Sequence, residues 1–187
     1  GCCGTSDEHV AAMRRAIDQG LPSTIVQSRA PIVSSEEVES VSADPPTELK
    51  QALQTGRFVT TVEMRPPKGI ATQKMVASAA MLGEAGADFL DIADIPLARM
   101  RMSAWAAAHL VQTHADIETI LHFPTRGRNL LRIQADLLAA HALGVRNLFV
   151  TMGDPARIGD YPDASDDYDL ASTGLIKLLK ERMNVGL

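Results

Sequence analysis

Four side chains able to hold or move a proton recur at matching points of a repeating pattern: Glu63, Asp94, His122 and Asp154. Glu63 lies in Phe58-Val-Thr-Thr-Val-Glu-Met-Arg-Pro-Pro67, where a β-rich run ends in a carboxylate and two prolines then stop the strand. Asp94 closes Leu90-Asp-Ile-Ala-Asp94, His122 opens His122-Phe-Pro-Thr-Arg-Gly-Arg-Asn129, and Asp154 sits in Thr151-Met-Gly-Asp-Pro155. Each also has a plain reading. A Glu before Pro-Pro is often a solvated loop residue, an Asp in Gly-Asp-Pro a turn former, and a lone His a structural donor. Recurrence at one end of successive strands favours a shared role, and a mouth with three carboxyl groups and an imidazole suits proton transfer to a polar heterocycle. A second chemical pair, Cys2 and Cys3, stands just ahead of a helix start. Adjacent thiolates there can be two ligands of one soft metal ion, or simply small buried thiols.

The elements that would position these groups follow from periodicity. From residue 58 onward strands are expected at 58–64, 88–94, 117–123 and 147–152, and helices at 72–85, 99–113, 129–143 and 172–182, with Gly144 ending the third helix. Such an alternation demands a parallel sheet with right-handed crossovers. The polar residues gather at the C-terminal strand ends and no Gly-rich phosphate fingerprint follows the first strand, so the expected fold is α/β of the TIM (β/α)8 barrel type rather than doubly wound. About the first four β-α units are present. Upstream, Thr5-Ser-Asp-Glu8 suits the cap of a helix bearing Val10, Met13, Ala16 and Ile17. Residues 21–49 then lose all periodicity and end in Ser42-Ala-Asp-Pro-Pro-Thr47, which reads as a linker, and 47–53 could start a short helix into the next domain.

Composition narrows the partners. With 187 residues and a net charge of -5 there is no broad electrostatic case for nucleic acid or an acidic membrane, so a small-molecule partner is expected. No apolar run approaches the roughly 20 residues that span a bilayer. The N-terminus also lacks the order of a signal peptide, so a cytoplasmic location is expected. The chain begins at Gly1 within what looks like the middle of a motif, and truncation is expected.

Two resemblances sharpen these expectations. Thr61-Val-Glu-Met-Arg-Pro-Pro67, Leu90-Asp-Ile-Ala-Asp94, His122-Phe-Pro-Thr-Arg-Gly-Arg-Asn129, Asp136-Leu-Leu-Ala-Ala-His-Ala-Leu-Gly144 and Thr151-Met-Gly-Asp-Pro155 resemble the methylenetetrahydrofolate reductase family in order and spacing. Gly1-Cys-Cys-Gly-Thr5 with its acidic cap resembles the C-terminal end of the homocysteine S-methyltransferase family. Their order resembles a bifunctional protein joining the two. The resemblance implies three parts: a methyltransferase remnant at 1–20, a linker at 21–52, and the N-terminal half of a reductase barrel at 53–187. It implies FAD, NADH or NADPH as hydride donor, and 5,10-methylenetetrahydrofolate as substrate. Glu63 matches the catalytic acid and Asp154 the aspartate facing flavin and folate, while Ala93, Asp94, His122, Arg126 and Gly153 become cofactor-binding candidates. Arg126, Arg128 and Asn129 could equally meet phosphates or cap the next helix. Cys2 and Cys3 match two of three zinc thiolates in a site for homocysteine, the third lying outside this chain. Departures stand at Ile95, where an Asn is usual, at Gly127, where an acid is common, and at Pro124-Thr125 in place of Thr-Cys. The isolated chain is expected to be inactive, and homo-oligomerisation at full length is left open.

Overall fold

A computed structural model of the chain describes residues 7–19 and 44–183. The chain divides into two units, 1–40 and 41–187. In the first, helix α1 (Asp7–Asp18) carries an exposed Arg14–Asp18 ion pair at 2.9 Å, one turn apart. Cys2, Cys3 and residues 21–43 of the expected linker lie outside the described residues.

The second unit alternates strand and helix: α2 (Glu48–Thr55), β1 (Thr61–Met64), α3 (Gln73–Glu84), β2 (Phe89–Ile92), α4 (Ala104–Ala115), β3 (Thr119–Pro124), α5 (Leu130–Ala142), β4 (Asn147–Thr151) and α6 (Ser172–Leu178). The four strands are parallel and ordered β1-β2-β3-β4. Each crossover therefore adds its strand to the same edge, as in the wall of a barrel, whereas a doubly wound sheet reverses direction. Side chains alternate across the sheet. Met64, Leu90, Ile92, Leu121 and Phe123 face α3, α4 and α5 and form the core with Met75, Ala79, Ala107, Val111, Ile133 and Leu137. Full burial of such a large apolar side chain contributes about 1.5–3 kcal/mol. By register, Glu63, Asp91, His122 and Phe149 fall on the opposite face.

Local chemistry sets the element ends. Thr47 accepts the amide of Lys50 to cap α2, and Asn129 accepts that of Arg132 to cap α5. Gly144 follows α5 with φ +82°, a conformation that glycine adopts without steric cost. The carboxylate of Glu118 takes the amides of Glu48 and Leu49, and Thr47 Oγ1 donates to Asn147, so α2 is docked on the N-terminal ends of β3 and β4.

Two expectations are corrected. The first strand starts at Thr61 rather than 58: Phe58 is 89% exposed, and the amide of Thr60 is taken by the Asp88 carboxylate before strand pairing begins. The second large helix starts at Ala104 rather than 99. Ile95, Leu97 and Ala98 all have positive φ, and Arg99 is extended, so no continuous α-helix runs through them, and Pro96–Ala98 form a single 3-10 turn.

Candidate functional site

At the C-terminal ends of β2, β3 and β4 the connecting loops enclose a cavity of about 360 Å³ whose lining includes Asp94, Arg101, Arg126, Gly153, Asp154 and Tyr161. That volume lies in the lower range for small-molecule sites. A larger cleft of about 640 Å³ lies at the other end of the strands, between Glu48, Glu84, Glu118 and Arg146. The Glu118 carboxylate there is already engaged by the α2 amides and by Asn147 Nδ2, so the position reads as the seat of α2.

The loop geometry of the cavity follows from a few residues. Gly153 has φ +86°, and a Cβ added to it would stand 2.9 Å from Pro124 Cβ, so only glycine fits where the β4 loop passes the β3 loop. Asp154, exposed, accepts the Leu97 amide at 2.6 Å and thereby holds the strained loop after β2. The Asp160 carboxylate takes the Met100 amide at 2.8 Å, and the Asp160 amide returns to Ala98 O. Arg126 donates to the carbonyls of Gly153 and Asp166 and lies over Tyr168, with its guanidinium carbon 5.7 Å from the ring centroid.

Beneath the cavity is a buried ionic cluster. Arg128 Nη2 meets the Asp94 carboxylate at 2.6 Å, its Nη1 donates to Pro124 O, and its Nε lies 3.7 Å from Asp136. The guanidinium is 4.9 Å from the Trp105 ring centroid and 4.7 Å from that of Phe123. Side-chain exposure is 11% for Arg128 and 4% for Asp94. Burial pushes the Asp94 carboxyl above the usual carboxylate range, against the opposing pull of Arg128. Of the two readings open for residues 126–129, Asn129 is a helix cap and Arg128 is an internal counter-ion, which leaves Arg126 on the cavity wall.

The sequence candidates thus separate into two groups at the same end of the sheet. Asp94, Arg126, Gly153 and Asp154 line the cavity. Glu63 and His122 lie on the open strand face, Glu63 half exposed with Arg65 Nε at 3.6 Å, and His122 against the Phe149 ring at 4.9 Å between centroids. Ala93 is buried, and its amide donates to Met64 O, joining β2 to the end of β1. Among the described residues no group of three or more His, Cys, Asp or Glu side chains stands ready to hold a metal ion. None of the described helices is long and apolar enough to cross a membrane.

Arg101 is the wall residue that sequence reading missed. It was hidden inside the helix expected at 99–113, yet it belongs to a strand-end loop. Its Nη1 donates to Pro66 O at 3.0 Å, and its Nε is buried with no hydrogen-bond partner among the described residues. A buried donor left unpaired costs about 1–3 kcal/mol, so the site is short of an acceptor.

The fold and this end of it define an α/β protein with a parallel sheet and a loop-built, cation-containing site at the carboxyl ends of its strands. Residues 48–186 match the family model described as methylenetetrahydrofolate reductase. The chain belongs to that family, and the family supports an oxidoreductase acting on a folate in one-carbon metabolism. No curated protein matches the chain.

Proposed function

We propose that the chain is part of an FAD-dependent reductase that converts 5,10-methylenetetrahydrofolate to 5-methyltetrahydrofolate with NADH or NADPH. The observation that carries this reading is the family match over 48–186 together with Glu63 at the open carboxyl end of β1. The cavity suits a phosphate-bearing cofactor: Arg101 and Arg126 stand on its wall, the Arg101 Nε has no acceptor among the described residues, and Gly153 leaves backbone free to approach. Bound FAD would supply hydride transfer. Arg101 and Arg126 would hold its anionic part, and Gly153 would admit it closely. Asp154 would set a negative charge at the site and keep the loop after β2 in place, and Ala93, Asp94 and His122 belong to the strand ends around it. Glu63 would give its proton to folate N10, opening the imidazolidine ring to an iminium ready to take hydride.

The same reading makes 53–187 the N-terminal half of a (β/α)8 barrel and 21–52 the linker to a methyltransferase remnant at 1–20. Cys2 and Cys3 would be two of the zinc ligands of that second domain, whose substrate would be homocysteine; the chain holds two cysteines in all. Expression of the full reading frame tests both halves. A yellow protein absorbing at about 450 nm, bleached by NADH or NADPH and recoloured by methylenetetrahydrofolate, is expected. A colourless protein that never takes up FAD would sink the reductase reading. Zinc content and homocysteine-dependent methyl transfer decide the methyltransferase part. Glu63→Gln is expected to retain bleaching by the nicotinamide nucleotide and to lose about 10²–10⁴-fold in recolouring by the folate.

A further inference from the structure

We propose that Arg101 is a positioning residue for Glu63, clamping the turn that follows β1 from the wall of the cavity. The inference rests on Glu63 being the acid. Proline has no amide hydrogen, so Pro66 and Pro67 offer carbonyls alone, and their turn can be held only by donors brought from elsewhere. The structure brings them from one segment. Ala93 N donates to Met64 O at 3.0 Å, Arg101 Nη1 to Pro66 O at 3.0 Å, and Met102 N to Pro67 O at 2.9 Å. Among the described residues no hydrogen bond fixes the Glu63 carboxylate itself, whose ion-pair partner, Arg65, is 57% exposed and 3.6 Å away. The direction of the Glu63 side chain is therefore set by its backbone, which pairing with β2 at Asp91 holds on one side and the turn clamped by residues 101 and 102 holds on the other.

Arg101 is the side-chain donor in that set, and it faces two ways. One nitrogen holds the Pro66 carbonyl; the buried Nε has no partner among the described residues, and the side chain lines the cavity. An acceptor arriving in the cavity would lock the guanidinium, and with it the turn. Ligand occupancy and the aim of the acid become one event, because a planar fork cannot shift one of its nitrogens without the others.

The test uses the FAD-loaded protein of the full reading frame and measures its two half-reactions separately, with amide hydrogen exchange at Met102 as a readout independent of turnover. Arg101→Met is expected to slow reoxidation by methylenetetrahydrofolate by about 10–100-fold, the scale of an ångström-sized misplacement. Because Arg101 also stands where the cofactor's anionic part would lie, both half-reactions are read at saturating FAD on the flavin-bound fraction, and there the slowing should exceed the effect on reduction by the nicotinamide nucleotide at least tenfold by the same argument. Exchange at Met102 should quicken. Combining Arg101→Met with Glu63→Gln should add little to Glu63→Gln alone, since both act through one carboxyl. Arg101→Gln serves by the same ratio if the methionine variant does not fold. Equal slowing of both half-reactions, or fully multiplicative effects in the double variant, would overturn the clamp. A Glu63→Gln variant that recolours at the wild-type rate would overturn the acid assignment instead, and unchanged Met102 exchange would overturn the clamp without reference to the acid.

Discussion

Arg128→Met strips the cation from the buried cluster while leaving a side chain that can still pack against the stacked Trp105 and Phe123 rings. Removing one member of a buried pair typically costs about 3–5 kcal/mol, because the partner keeps an uncompensated charge. Here Asp94, 4% exposed, loses its closest counter-ion, while Asp136 keeps Arg132 at 2.9 Å. The loss should fall at the upper part of that range at neutral pH and depend on pH. Asp94 already has a folded pKa raised by burial, and Arg128 is the main influence opposing the rise, so the variant carries it higher. A carboxyl with a raised folded pKa stabilises fully below its unfolded pKa, near 3.9, and that contribution is lost as pH rises through the folded value. The cost of Arg128→Met should therefore grow from pH 4 toward pH 7, by at most about 1.4 kcal/mol per pH unit for this one group. Urea unfolding followed by circular dichroism, with the fluorescence of the single tryptophan, Trp105, as a second probe, measures it. In thermal terms the expected fall at pH 7 is about 8–20 °C. A loss under about 1 kcal/mol at pH 7, or the same loss at pH 5 and pH 7, would show that the cluster is not the buried charge pair its geometry describes.

Ile95→Asn should stabilise the protein by about 1 kcal/mol, since a β-branched residue at φ +44° is strained and asparagine accepts that conformation; thermal unfolding reads the gain. Gly153→Ala should lose about 1–3 kcal/mol through its positive φ and its approach to Pro124, and should weaken FAD retention on gel filtration. Asp44 is held below the usual carboxylate range by a hydrogen bond from Arg146, with the charges of Arg146 and His141 adding to it. Its contribution is present above the unfolded pKa and lost as pH falls through the folded one, so Asp44→Asn should be less stable than the parent at pH 7 and converge on it below about pH 4. Convergence toward higher pH would contradict that arrangement.

Most of the scaffold was legible because its signals are local. The apolar stripe of 73–84, the glycine stop at 144 and the β-rich runs before each candidate residue all act within a few positions, and the four strands and the helices between them follow the order that periodicity gives, with β1 and α4 starting later than expected. What escaped depends on tertiary contact. Alanine-rich 99–113 reads as helix from Arg99, but a proline turn and three left-handed residues delay the helix to Ala104, which conceals Arg101. Arg126 and Arg128, two residues apart, look alike in sequence; one faces a cavity and the other is enclosed by Asp94, Asp136, Trp105 and Phe123, a difference that only packing makes.

The loops after β2 and β4 come from strands that are not neighbours, yet they are tied by three hydrogen bonds across the end of β3, and a side chain at Gly159 would overlap the carbonyl of Ala98. They are therefore not separate modules. Transplanting one of them from a relative into this chain should fail, while exchanging the two as a set should succeed, so this end of the fold can be re-engineered or drift only in matched pairs of changes.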